Sequence, residues 1–346
     1  MSMNRIIVLF VLYSCFFSSC QSQEHESPNL DTKNPIQLSE SWKCSNPIAG
    51  NKIMILLDPH GEADSVLRKY APLAKKYHYT LYASPKIYNG LAIPIVNTFI
   101  DSLLASLTST KTNKEITLAG FSGGAKYALL YAANHRTINR VVACGAVTET
   151  NLNNTPSLLF CGVKDMNYAS MRLFNNAHCY HVTWNGTHSW PDVNTFSLAF
   201  DNESAWTKAN ESITTSLQTQ LQQELNLQQS YMEQYGSFSD SDWKRIVAHL
   251  SKDNTDLVAV RCKGVLSMTS YLYTDHFIKN GQLDQAFKFC QRYLEIDPKN
   301  GDAYYFKALI EMKQGDTQNA SKDFNTAKQL GWHETADKKK DPSFSF

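Results

Sequence analysis

Gly120-Phe121-Ser122-Gly123-Gly124 follows the apolar run Ile116-Thr117-Leu118 and precedes Ala125 to Ala133, a stretch of helical composition. A chain passing from strand to helix through five residues must turn sharply. The serine at the apex is then forced into a strained backbone conformation, and small residues two before and two after let the flanking backbones approach. The helix behind the serine presents its N-terminus, which favours negative charge developing there. A glycine-rich turn that cradles phosphate would carry a longer glycine spacing or a Gly-Lys-Ser/Thr ending, and neither is present.

The flanking sequence alternates strand and helix signals. Lys52 to Leu57 is a short apolar run of the kind buried on both faces of a sheet. Ala63 to Lys76 has helical spacing in its apolar residues Val66, Leu67, Tyr70, Ala71, Leu73 and Ala74. Tyr79 to Ala83 and Glu115 to Ala119 are predicted strands. So are Val141 to Val147, Ser157 to Cys161 and His181 to Trp184. Ile93 to Leu107 is a predicted amphipathic helix. Such alternation predicts a mostly parallel sheet with helices on both faces.

With strand and helix on either side, Gly120 to Gly124 resembles the nucleophile elbow of the α/β-hydrolase superfamily, the esterase- and lipase-like serine hydrolases. The resemblance covers Lys52 to Phe200. It implies a serine nucleophile followed in chain order by an acid and a histidine. Asp165 lies just past the strand Ser157 to Cys161, in Gly162-Val163-Lys164-Asp165. His188 follows the next strand in Asn185-Gly186-Thr187-His188-Ser189-Trp190-Pro191. Ser122, Asp165 and His188 are therefore the expected catalytic set: His188 takes and returns the Ser122 proton, and Asp165 orients its ring. His178 and His181, before and within the last strand, are expected to be structural. Asp192 follows the histidine and is expected to cap a helix or face solvent.

The resemblance also implies an oxyanion hole. Leu57-Asp58-Pro59-His60-Gly61 is similar to the His-Gly loop of many lipases and esterases. The donors would be the backbone N–H of Gly123 and that of Gly61 or Glu62. Losing one such donor costs about 3–4 kcal/mol of transition-state stabilisation. The antiparallel strands that open many members are not evident before Lys52, although Ser41 to Cys44 fits one remnant. Ala146 to Pro156, where many members insert a lid, is short and rich in Asn and Thr. An open site favours a soluble ester, a peptide, or an acyl group on a larger substrate over a lipid interface.

After Asn202 the composition changes. Glu203 to Gln234 is rich in Gln, Leu and Ser, without Pro or Gly, and everything beyond is helical in pattern. A shift of 34 residues superposes Tyr271 on Tyr305, Lys279 on Lys313, Gly281 on Gly315, Ala286 on Ala320, and Ile296 on Leu330. That is the period of paired helices in tetratricopeptide arrays. The stretch from about Lys263 to Trp332 resembles two such repeats, with Ser239 to Asp256 expected as a preceding helix that caps the array. The repeats imply either a protein partner in a concave groove or a buttress for the catalytic domain.

The first residues look like a targeting segment. Arg5 is basic, Ile6 to Phe17 is apolar and too short to span a bilayer, and Phe17-Ser18-Ser19-Cys20 resembles a bacterial lipobox. The resemblance implies cleavage before Cys20, lipidation of Cys20, and a polar tether, hence a lipid-anchored place in the cell envelope. Of the eight cysteines, none forms a CxxC pair, no HExxH occurs, and no metal or other cofactor is expected. Cys144 and Cys161, in apolar runs, are expected in the core. The net charge of +1 gives no pull toward nucleic acid, and Lys338 to Lys340 is expected to be a solvated tail.

The expected organisation is a signal peptide at 1–19, a tether at 20–44, an α/β-hydrolase domain at 45–202, and a helical linker at 203–262. Repeats follow at 263–332 and a tail at 333–346. The expected function is carboxylesterase-type acyl hydrolysis of a small-molecule or acylated substrate. The alternative is a binding lipoprotein that works through its repeats, with a non-catalytic hydrolase-like domain.

Overall fold

The computed structural model describes residues 40–47, 50–108, 114–152, 154–175, 178–201 and 213–344. The targeting segment, Cys20, most of the tether, residue 202, and residues 203–212 of the linker lie outside the described residues. Two compact units divide the chain. One runs through Gln222 and takes in Thr335–Asp337; the other comprises Gln223–Glu334 and the residues from Lys338 onward.

The first unit is built on a seven-stranded sheet. Its strands are β1 (Lys43–Ser45), β2 (Lys52–Leu57), β3 (Tyr79–Ala83), β4 (Glu115–Phe121), β5 (Arg140–Cys144), β6 (Ser157–Gly162) and β7 (Cys179–Trp184). The order is β1-β3-β2-β4-β5-β6-β7. Only β1 runs antiparallel, at the edge beside β3; the other pairings are parallel. This edge strand is the single remnant that the sequence suggested. The indole of Trp42 beside it donates to Phe99 O at 3.2 Å.

Alternation along β2 explains the layers. Ile53, Ile55 and Leu57 point into one core with α2 (Ile93–Thr108) and α3 (Gly123–Asn134), through Val96, Phe99, Leu103, Ala128 and Tyr131. Met54 and Leu56 point into the other, with Val66, Tyr70 and Ala74 of α1 (Ala63–Tyr77) and Phe196 of the short helix α5 (Val193–Phe196). A strand buried on both faces has no polar side to spare, hence the uniformly apolar Ile53 to Leu57. β5 stops at Cys144, short of the expected Val147. Gly145 turns to φ +68 there, while its N–H donates to Phe160 O. A further short helix, α4 (Tyr168–Leu173), follows β6.

The second unit is helical: α6 (Thr215–Gln234) from Gln223 onward, α7 (Asp240–Leu250), α8 (Leu257–Lys279), α9 (Leu283–Ile296), α10 (Gly301–Gln314) and α11 (Thr317–Gln329). The sequence repeat has a structural basis. Gly281 and Gly315 turn between paired helices at φ +70 and +89, where a side chain would be strained. Ala286 and Ala320 are fully buried between them. Each pair buries aromatic residues in one continuous core, including Tyr273, Phe277, Phe289, Phe306 and Phe324.

The basic run at Lys338 departs from its expectation. Lys338 Nζ donates to Asp302 at 2.7 Å, and Tyr305 donates to Lys339 O at 3.0 Å. Beyond them Phe344 stacks on Phe324. The run is held to α10 because an aromatic anchor lies just past it. Among the described residues no helix is long and apolar enough to cross a membrane, and their cysteines are free thiols.

Candidate active site

Ser122 sits between β4 and α3 with φ +52 and ψ −118. A non-glycine residue in that region stores on the order of 1–3 kcal/mol of strain, so the surroundings must impose it. They do so by close packing. A β-carbon on Gly120 would lie 2.1 Å from Gly124 O, and one on Gly124 would lie 2.0 Å from Leu57 O. The Ser122 N–H donates to Cys144 O at 2.8 Å, which ties the turn to β5. The Cys144 thiol beneath is fully buried, and burial raises its pKa well above the usual thiol range, so it stays protonated.

The sheet's carboxyl edge brings the other two side chains to the serine. The loops after β6 and β7 are joined backbone to backbone. Val163 N–H donates to Trp184 O, and Lys164 N–H donates to Gly186 O, both at 2.9 Å. Gly162 permits the approach, since a β-carbon there would lie 2.4 Å from Gly186 O. In this frame His188 Nδ1 lies 2.9 Å from Asp165 Oδ1, and His188 Nε2 lies 3.0 Å from Ser122 Oγ. The acceptor on one ring nitrogen settles the state of the other: Nδ1–H donates to the carboxylate, and Nε2 accepts from the serine hydroxyl. The Asp165 carboxylate is only 1% exposed and the imidazole 21%, so the acid is shielded while the ring reaches solvent. Asp165 Oδ1 also accepts from Asn167 N–H at 2.8 Å, and Phe121 packs on the imidazole at 4.8 Å between ring centres.

The neighbours that could compete are occupied elsewhere. Asp192 caps α5 by accepting from Thr195 N–H and Thr195 Oγ1, and those bonds hold its pKa down. His181 lies in β7 with Nε2 on Phe174 O. Burial, with Arg172 nearby, lowers its pKa to about 4.

The loop after β2 differs from the expectation. Asp58, 6% exposed, gathers its amides inward. Asp58 Oδ1 accepts from His60 N–H at 2.8 Å and from Glu62 N–H at 3.1 Å, while Gly61 N–H donates to Asp58 O at 3.3 Å. The amides of Gly61 and Glu62 thus already have acceptors within their own turn, leaving Gly123 as the unoccupied donor of the three expected. As a first-turn residue of α3, its N–H has no acceptor within the helix.

Three residues without a sequence signal complete the surroundings. Trp190 Nε1 donates to Asp58 Oδ2 at 2.8 Å, joining the His188 loop to the loop after β2. Asp337 places both carboxylate oxygens on His60 Nδ1, at 2.9 and 3.1 Å. Asn89 is exposed, and its N–H donates to Pro59 O at 2.8 Å. Its carboxamide covers Gly123: a β-carbon there would lie 1.8 Å from Asn89 Oδ1. Among the described residues no cluster of His, Cys, Asp and Glu could hold a metal ion.

The sheet is of the α/β-hydrolase type, and residues 301–337, which belong to the helical unit as far as Glu334, match the tetratricopeptide repeat family. No curated protein matches the chain. Among solved structures it is similar to Est1E from Butyrivibrio proteoclasticus, at 12% identity over 46% of this chain and 90% of the other, with a TM-score of 0.36. It is similar to esterase PE8 at 15% identity over 46% and 95%, TM-score 0.35. It is also similar to the enol-lactonase from Burkholderia xenovorans at 13% identity over 42% and 88%, TM-score 0.33.

Proposed function

We propose that the chain is a serine hydrolase that cleaves carboxylic esters through an acyl-enzyme on Ser122. The observation that carries this is the relay of contacts from Asp165 through His188 to Ser122, at 2.9 and 3.0 Å, on a strained elbow. His188 Nε2 takes the Ser122 proton as Oγ bonds to the substrate carbonyl carbon. The carbonyl electron pair moves onto oxygen, and Gly123 N–H donates to it. The intermediate then expels the alkoxide, which takes the proton from His188. Water enters, gives its proton to the same nitrogen and attacks the acyl carbon; breakdown returns the proton to Oγ and frees the acid. Asp165 keeps its hydrogen bond from His188 Nδ1–H and stabilises the imidazolium. The segment between β5 and β6 holds no helix among the described residues, so the site favours esters that approach from solvent.

A fluorophosphonate probe and a panel of esters and peptides test the proposal. Wild-type protein is expected to take one label on Ser122 and to turn over esters, and Ser122→Ala to do neither while keeping its circular dichroism. Turnover undiminished in Ser122→Ala would refute it. Attachment to the envelope through a lipid on Cys20 is a separate proposal. Fatty-acid labelling in bacterial cells, lost in Cys20→Ala, is the expected result.

A further inference from the structure

From these contacts we infer that Asn89 is the second oxyanion donor: its side-chain amide completes, with Gly123 N–H, the hole that the loop after β2 does not complete. This rests on the proposed Ser122 chemistry.

Acyl transfer at a serine needs donors fixed where the carbonyl oxygen gains charge, and one backbone donor gives only part of the effect. The expected partners of Gly123 are the amides of Gly61 and Glu62, and both donate to Asp58. Releasing Glu62 would strip a buried carboxylate of a hydrogen bond, and releasing Gly61 would strip the Asp58 backbone carbonyl of one, which opposes such a change during turnover. The turn containing Asn89 approaches the same place from the other side. It is pinned at three points: Asn89 N–H on Pro59 O at 2.8 Å, and Tyr127 Oη on Leu91 O at 2.8 Å and Tyr88 O at 3.4 Å. Tyr127 belongs to α3, the helix that starts at Gly123, so nucleophile turn and Asn89 turn share one support. The Asn89 carboxamide consequently lies against Gly123. A β-carbon on that residue would meet Oδ1 at 1.8 Å and Nδ2 at 3.7 Å. A half-turn of the amide exchanges the two atoms, and the exposed position leaves that turn open. An amide N–H then faces Gly123. This also accounts for Gly123 itself, since any side chain there would displace the amide head.

The inference separates from a merely spatial role by kinetics. Wild type, Asn89→Ala, Asn89→Asp and Ser122→Ala are compared on p-nitrophenyl acetate, with circular dichroism as the folding control. Asn89 is exposed, so its variants are expected to fold. Loss of an oxyanion donor is read in kcat: Asn89→Ala is expected to fall about 100-fold or more, with KM within about 3-fold. Asn89→Asp keeps the shape but puts a carboxylate where the oxyanion forms, so its kcat is expected at or below that of Asn89→Ala. A kcat for Asn89→Ala within about 3-fold of wild type, with Ser122→Ala inactive, overturns the inference and leaves the serine proposal standing. An Asn89→Asp enzyme as fast as wild type overturns it as well. Turnover retained in Ser122→Ala overturns the serine proposal, and this inference with it.

Discussion

Asp58 joins two loops, and replacing it by asparagine probes that junction with almost no change of volume. Its carboxylate accepts from two backbone amides at one oxygen and from Trp190 Nε1 at the other, at 2.8 Å. In Asp58→Asn the amide oxygen can keep the two backbone donors as neutral bonds. The amide nitrogen then faces the indole N–H, donor against donor. Losing one charge-assisted bond and weakening two gives an expected destabilisation of about 2–4 kcal/mol. The same substitution in a Trp190→Phe background meets no indole donor, so its cost there is expected to fall to about 1 kcal/mol. The four proteins form a double-mutant cycle with an expected coupling of about 1–3 kcal/mol. Urea unfolding followed by circular dichroism measures it, with m-values compared so that a changed denatured state is recognised. Trp190 lies two residues past His188, so the single Asp58→Asn variant is also expected to lose kcat. A coupling under about 0.5 kcal/mol would refute the idea that the Asp58–Trp190 bond fixes the His188 loop.

Gly124→Ala places its methyl 2.0 Å from the carbonyl of Leu57, a backbone atom of a central strand, and is expected to cost about 3 kcal/mol or more in thermal or urea melts. In the helical unit, Arg261 and Glu224 form a buried two-bond pair at 2.6 and 2.7 Å. Glu224→Ala is expected to destabilise that unit by about 3–5 kcal/mol, and a loss under 1 kcal/mol would refute the pair's importance. His181, with its pKa lowered to about 4, binds a proton less readily folded than unfolded. Stability is therefore full above pH 6.5 and is lost as pH falls from 6.5 toward 4, by up to ~3 kcal/mol. His181→Gln is expected to flatten that part of the stability–pH curve, measured by urea melts at several pH values.

The parts of this molecule visible in the sequence are those with a local cause. β2 is apolar because both faces are covered, the elbow is glycine-rich because Gly120 and Gly124 touch backbone, and Gly281 and Gly315 recur because the turn recurs. Ser122, Asp165 and His188 each stand at the end of a strand, where a parallel sheet gathers side chains at one edge. What stayed hidden depends on partners far along the chain. Asp58 meets Trp190 across 132 positions, and His60 meets Asp337 across 277. Nothing near Gly61 foretells that its amide turns to Asp58, and nothing near Lys338 foretells its hold on Asp302. Asn89 lies in a loop without periodicity, and its place over Gly123 emerges only when α3 and the loop after β2 are both present.

The bond between His60 and Asp337 bears on the order in which the molecule is made. On a translating ribosome all seven strands emerge well before residue 337, and Ala336 N–H later closes on His60 O at 3.0 Å. Early folding intermediates would hold the sheet while the loop beside the elbow still lacks its last clasp. Synthesis stalled within the repeats would then yield a nascent chain with a formed sheet but a loosely held His60 turn. Completion of the turn would await translation of Asp337.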